Sequence, residues 1–180
     1  MLKSFKINVM NMKKIILLFS IVIFSFSIFA QESNNGKKLW AKSVLNQKAP
    51  ELVVEEWVTK IPKTKGKFVL IDFWGTGCAP CRKLIPELNK WSKLFKKDLV
   101  VIGLVSHSVD ALKRLKEPVV EYYSGADEKK RMLKELEIKG VPHVILIDPR
   151  GIVRWEGYPL LEGHELTAEI IEKLIKKYKK

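Results

Sequence analysis

The chain holds two cysteines and three histidines among its 180 residues, and these shortages exclude a good deal. Two cysteines make at most one disulfide, so a scaffold stapled by several bridges is ruled out and a hydrophobic core has to carry the stability. A structural zinc site wants four ligands. Beyond Cys78 and Cys81 only His107, His143 and His164 are left, none at zinc-finger spacing. Long apolar runs are also missing. The longest, residues 15–29, is broken by Ser20, Ser25 and Ser27 and falls short of the roughly 20 residues a spanning helix needs. A polytopic membrane protein is therefore excluded. There is no internal repeat and no low-complexity block. Lys and Arg outnumber Asp and Glu by 33 to 20, yet no basic stretch is interleaved with aromatics, and the lysines are scattered among acids, as in Asp127-Glu128-Lys129-Lys130-Arg131. Nucleic acid is not expected as a partner. Solvated helix faces, with some attraction to an anionic membrane surface, account for the charge.

What is present begins at the N-terminus. Lys3, Lys6, Lys13 and Lys14 precede the apolar run, and Ala30 follows it. This is the layout of a secretory signal peptide over residues 1–30, with an uncleaved signal anchor as the alternative. Met12 before two lysines is the expected natural start, which would make residues 1–11 an upstream extension. No cysteine follows the run, so no lipid anchor is expected there. The expected location is extracytoplasmic, and removal of the leader takes the formal charge from +13 to +9.

Residues 31–48 are polar and weakly patterned, a linker or loosely docked arm, and residues 49–180 form the folded domain. A short outer strand is expected over 51–59. Lys67–Trp74 is almost wholly apolar, β-branched and aromatic, which suits a strand buried on both faces. After the turn Gly75-Thr76-Gly77, the spacing of Leu84, Ile85, Leu88, Trp91, Leu94 and Phe95 predicts an amphipathic helix, with Pro86 kinking it near its start. A second buried strand is expected over 99–106, a short helix over 110–116 ended by Pro118, a brief strand over 122–124 and a helix over 128–138 stopped by Gly140. Strands over 144–148 and 152–156 flank the hairpin signal Pro149-Arg150-Gly151. Residues 165–178 close the chain as an amphipathic helix. The order is βαβ, a further helix, then ββα, an α/β fold with a mixed central sheet flanked by helices.

Cys78-Ala79-Pro80-Cys81 holds both cysteines. A c-type haem site is excluded because Arg82, not His, follows. An inert structural disulfide remains open, although so short a loop removes little chain entropy. Position favours reactivity: Cys78 stands where a buried strand hands over to a helix, so free N–H groups and the helix dipole favour its thiolate. Cys81, one turn further in, should be sheltered and able to attack a mixed disulfide at Cys78. Asp72, in the middle of KFVLIDFW, is costly to bury, and a raised pKa would suit it to proton transfer. The alternative is a strand-end acid that reaches solvent.

The segment FVLIDFWGTGCAPCRKLIPEL resembles the active-site segment of thioredoxin-fold proteins, and Gly140-Val141-Pro142-His143 resembles their cis-proline loop. The leader, the IDPRGIVRWEG hairpin and the long 107–139 connection bring the chain closest to the TlpA/ResA-like extracytoplasmic thiol–disulfide oxidoreductases. The resemblance covers roughly residues 48–177 and implies a thioredoxin-like fold. By position it implies that Cys78 attacks and Cys81 resolves, that Asp72 relays a proton to or from the resolving thiol, that Pro142 packs beside the disulfide, and that the Val141 backbone pairs with a bound peptide. Two positions depart from the family. Gly77 stands where Trp is common, which should leave Cys78 more open. His143 replaces the usual Thr and could tune the thiolate or merely cap the strand. Trp74, Trp91 and Trp155 are expected in packing, His107 and His164 at the surface.

The resemblance therefore implies a monomeric enzyme without cofactor or bound metal, acting on cysteines of exported proteins, as a reductase rather than an oxidant. A reductase would need a membrane electron donor. Two alternatives stand beside it. A thiol peroxidase of this fold would carry Thr at the position of Gly75. A copper-binding assembly factor would use Cys78, Cys81 and His143, but such Sco-like proteins space their cysteines CxxxC.

Overall fold

The computed structural model describes residues 40–115 and 119–179. The leader expected over residues 1–30, the first part of the arm, and the helix stop at Pro118 lie outside them. Among the described residues no helix is long and apolar enough to cross a membrane.

The sheet is built around β2 (Phe68–Trp74), whose side chains are buried on both faces except for half-buried Val69. It pairs in parallel with β3 (Leu99–Val105), itself buried throughout, and antiparallel with β5 (His143–Ile147). β1 (Glu56–Trp57), β4 (Tyr123–Ala126) and β6 (Val153–Gly157) complete a six-stranded sheet of order β1-β4-β3-β2-β5-β6. β3 and β4 run parallel, while β1 and β6 are antiparallel to their neighbours. Full burial of such aliphatic and aromatic side chains contributes about 1.5–3 kcal/mol each, which suits a chain that lacks a large disulfide framework. This is a thioredoxin-like α/β fold with a mixed sheet.

Alternate residues of β2 serve two cores. Phe68, Leu70 and Trp74 face α1 (Ala79–Leu94), with Leu84, Leu88 and Trp91 against them. Ile71 and Phe73 face the opposite layer with Met132 and Leu136. α1 runs on through Pro86 as one element. Its apolar stripe is shorter than the spacing predicts, because Leu94 is 59% exposed at the last turn. α4 (Ala168–Tyr178) starts three residues later than expected because the Thr167 hydroxyl accepts from Ile170 N–H as an N-cap.

Three other elements differ from the sequence expectation. The outer strand shrinks to β1, because Leu52, Val53 and Val54 pack as coil on the core formed with Met132 and Leu136 rather than pairing. α2 (Val109–Lys113) begins one residue early, capped by Ser108. The helix expected over 128–138 is only α3 (Arg131–Glu135), preceded by Lys130 at φ 56° and followed by Glu137 at φ 51°. Buried Asp127 accepts from Met132 N–H at 2.9 Å and so holds that short turn.

The described end of the arm is not loose. Asn46 N–H bonds to Val153 carbonyl and Ala49 N–H to Gly151 carbonyl, both at 2.9 Å, and Lys48 bridges to Ile152. Val44 is buried, its N–H bonded to the Glu156 carboxylate at 2.8 Å, and Ser43 donates to the same carboxylate. The arm thereby covers part of β6, whose open edge would otherwise invite pairing with another chain.

Candidate active site

At the end of β2 the chain turns through Gly75-Thr76-Gly77, and Cys78 N–H bonds to the Gly75 carbonyl at 3.0 Å. Cys78 then caps α1: its backbone is extended and its Sγ accepts from Cys81 N–H at 3.2 Å. Pro80 sits in the first turn, where its missing N–H costs nothing. Cys78 and Cys81 are joined as a disulfide. The two sulfurs are placed unequally, since Cys78 is half-buried whereas Cys81 is fully buried in the core between α1 and the sheet. Gly77 is exposed, with nothing within 4 Å of where a Cβ would stand.

The Val141–Pro142 peptide is cis, and the Val141 carbonyl oxygen lies 3.6 Å from Cys78 Sγ. Pro142 is buried at the start of β5. The structure therefore brings Cys78, Cys81, Val141 and Pro142 into one site.

Asp72 is fully buried, and among the described residues neither carboxylate oxygen has a hydrogen-bond partner. It does not reach solvent. Desolvation raises its pKa to about 8. It alternates with Ile71 and Phe73, so its side chain leaves β2 on the α1 face, the face that also holds buried Cys81.

His143 lies elsewhere. It pairs with Phe73 across β2 and β5, its ring 6.2 Å from the Phe73 ring, and so belongs to the opposite face of the sheet from Asp72. Burial lowers its pKa to about 4. Among the described residues no three His, Cys, Asp or Glu side chains form a group able to hold a metal ion, so Cys78, Cys81 and His143 are not gathered as a copper site would require.

Trp74, Trp91 and Trp155 are core residues. His107 is exposed, with its ring against Gly75. His164 departs from the surface expectation. It is half-buried, stacks on Trp155 at 5.1 Å, and its Nε2 lies 3.0 Å from the Glu156 carbonyl. Sequence reasoning missed Tyr122, which ends buried over Gly103, the strand partner of Asp72, with its hydroxyl without a partner among the described residues. The available signal was a pair of aromatic residues, Tyr122-Tyr123, directly ahead of the small residues Ser124-Gly125-Ala126.

A thioredoxin-like family model matches residues 66–153. Over 142 residues, 76% of the chain and 79% of the relative, the sequence is 31% identical to the thiol–disulfide oxidoreductase ResA of Bacillus thuringiensis. The chain belongs to this family of thioredoxin-like thiol–disulfide oxidoreductases. The ResA of Bacillus cereus is 29% identical over 92% of the chain and 98% of its own length. Among solved structures, a thiol:disulfide interchange protein DsbE from Chlorobium tepidum superimposes with TM-score 0.61 at 26% identity, over 76% of this chain and 98% of that one. The thioredoxin domain of a thiol–disulfide oxidoreductase from Bacteroides vulgatus gives 0.60 at 26% identity, over 77% and 100%. As a member of this family, the oxidoreductase carries its Cys78–Cys81 pair at the junction of β2 and α1.

Proposed function

We propose that this oxidoreductase is an extracytoplasmic reductase of disulfides in exported proteins, and that it works as a monomer fed by a membrane electron donor. The observation that carries the reading is the unequal burial of the two sulfurs on the face of the sheet that holds a buried carboxylate without a partner among the described residues. In the reduced enzyme the Cys78 thiolate attacks a substrate disulfide. A Cys78–substrate bond forms, and the first substrate sulfur leaves as thiolate. The Cys81 thiol then passes its proton to the Asp72 carboxylate and attacks Cys78 Sγ. The Cys78–substrate bond breaks, the second substrate sulfur leaves, and the enzyme is oxidised by two electrons. The donor returns those electrons by the same exchange in reverse.

Val141 and Pro142 serve substrate docking in this reading, because the Val141 carbonyl lies against the attacking sulfur. The reducing direction is favoured by the modest support of the Cys78 sulfur, which among the described residues accepts from the Cys81 N–H. Strong oxidants stabilise their reduced form much more. The leader-like run of residues 15–29 supports the location, and the scattered charge supports the exclusion of nucleic acid.

A trapping experiment tests the reading. Cys81→Ala is expected to leave substrate proteins attached through Cys78, with exported cysteine-containing proteins identified by mass spectrometry, while Cys78→Ser captures none and does not reduce insulin. A redox titration should place the potential below about −200 mV. Trapping through Cys81, or a clearly more oxidising potential, would overturn the role assignment or the direction respectively.

A further inference from the structure

Asp72 and Trp74 leave β2 on the same face, and Asp72 is the parallel partner of Gly103 on β3. A Cβ at Gly103 would stand 2.8 Å from Tyr122 Cε2 and 2.9 Å from Trp74 Nε1. Only a hydrogen fits there, and its small size lets the two rings converge beside the carboxylate. Three side chains meet in this niche, each with its polar end buried and without a partner among the described residues: Asp72 Oδ1 and Oδ2, Trp74 Nε1 and the Tyr122 hydroxyl. Two donors thus converge on Gly103, the strand partner of an acid whose two oxygens are both acceptors once it is ionised. Phenylalanine would pack over Gly103 as well as tyrosine does, so packing does not account for the hydroxyl.

No hydrogen bond joins these polar ends in the structure; we propose that Tyr122 is a positioning residue for the proton step, its O–H donating to the Asp72 carboxylate over Gly103 once that carboxylate ionises, and thereby holding Asp72 ready to take the proton of Cys81. The inference rests on the proposed reductase mechanism and adds to it a residue outside the CxxC segment and the proline loop. The balance of the step is unchanged: the Cys81 proton moves to Asp72, the Cys81–Cys78 bond forms, and the substrate sulfur leaves with the electron pair of the broken bond. Tyr122 gives up no proton; it stabilises the charge that Asp72 carries before the transfer.

Few other groups face Asp72. α1 presents Cys78 and Cys81, the segment ahead of β4 presents Tyr122, and the flanking partners Gly103 on β3 and Val144 on β5 are uncharged. His143 sits on the far face with Phe73. Burial opposes ionisation of Asp72, and a hydrogen bond to the charged form opposes that effect. Burial, and then the charge of Asp72, raise the Tyr122 pKa well above its ordinary value, so the phenol keeps its proton and remains a donor.

The test uses the full chain carrying a thionitrobenzoate group on Cys78. Release of the coloured thiolate by Cys81 is followed in stopped flow from pH 5 to 10. Tyr122→Phe is expected to move the acid limb of that step upward by about one pH unit, the worth of one hydrogen bond to a charged group. In an Asp72→Asn background the same substitution should move nothing. A Tyr122→Phe limb that coincides with wild type, or an equal shift without Asp72, would overturn the proposal. Carbon NMR titration of the Asp72 carboxyl in the oxidised protein gives a readout independent of turnover, with the midpoint higher in Tyr122→Phe and an unmoved midpoint counting against it. Trp74→Phe, which removes the other donor, is the second variant should Tyr122→Phe not fold, with the same upward shift expected. If wild type releases no thiolate while the NMR midpoint still responds to Tyr122→Phe, the reductase reading fails and the Tyr122–Asp72 contact stands.

Discussion

The backbone N–H of buried Cys81 donates to the Sγ of half-buried Cys78 at 3.2 Å. One residue therefore does two things: its amide supports the outer sulfur while its own sulfur is kept out of water. The helix start favours negative charge on the outer sulfur, and the apolar core disfavours it on the inner one.

Reduced protein treated briefly with iodoacetamide at pH 7 is accordingly expected to be alkylated at Cys78 at least about tenfold faster than at Cys81. Peptide mass spectrometry over a time course reads the ratio. Equal rates would mean that burial of Cys81 in the oxidised form is lost on reduction.

Gly103→Ala places a methyl group against Tyr122 Cε2 and Trp74 Nε1 at distances real Cβ atoms do not tolerate. Overpacking of this kind costs about 1–3 kcal/mol. Urea denaturation should register that loss, and register less of it when Tyr122→Leu is present, because two residues in contact do not add independently. A fully additive pair would show that the Tyr122 ring does not cover Gly103.

Much of this site was legible in the chain. The strand of alternating apolar faces, the cysteine pair at its end and the proline ahead of β5 are local patterns, and residues 67–81 and 141–147 carry them directly. Asp72 was legible for the same reason, as a lone charge inside an apolar strand. Other features depended on which distant segments meet. Tyr122 packs over the strand partner of Asp72 only because β4 lies beside β3 and Gly103 leaves room. His164 is drawn inward by the ring of Trp155, on another element. The polar arm gave no periodic signal because its docking uses backbone groups and one buried carboxylate, Glu156, rather than a hydrophobic stripe.

That carboxylate gives a further prediction. Glu156→Ala leaves the Val44 N–H without its acceptor and frees the Ser43 hydroxyl. An unsatisfied buried donor costs about 1–3 kcal/mol, so the free energy of unfolding should fall by that amount. Amide exchange at Val44 and Asn46 should speed up well before exchange in β2 does. Unchanged exchange there would mean that backbone bonds to Val153 and Gly151 alone hold the arm.

The last prediction concerns pH. Burial keeps Asp72 protonated up to about pH 8, where an unfolded aspartate has lost its proton by about pH 4. Between those values the native state binds the extra proton, so stability falls as pH rises, by about 1.4 kcal/mol per unit. His143 acts with the opposite sign. Burial lowers its pKa from 6.5 to about 4, so between those values the unfolded chain binds the extra proton and stability rises with pH. The two slopes cancel from about pH 4 to 6.5, and above that Asp72 acts alone until about pH 8. Urea denaturation of the oxidised protein should therefore give a nearly level stability up to pH 6.5 and a decline beyond it. Asp72→Asn should convert this into a rise up to pH 6.5 followed by a plateau, and His143→Asn into a steady fall across the whole range. If the wild-type decline between pH 6.5 and 8 survives in Asp72→Asn, the buried carboxyl is not the group that titrates there.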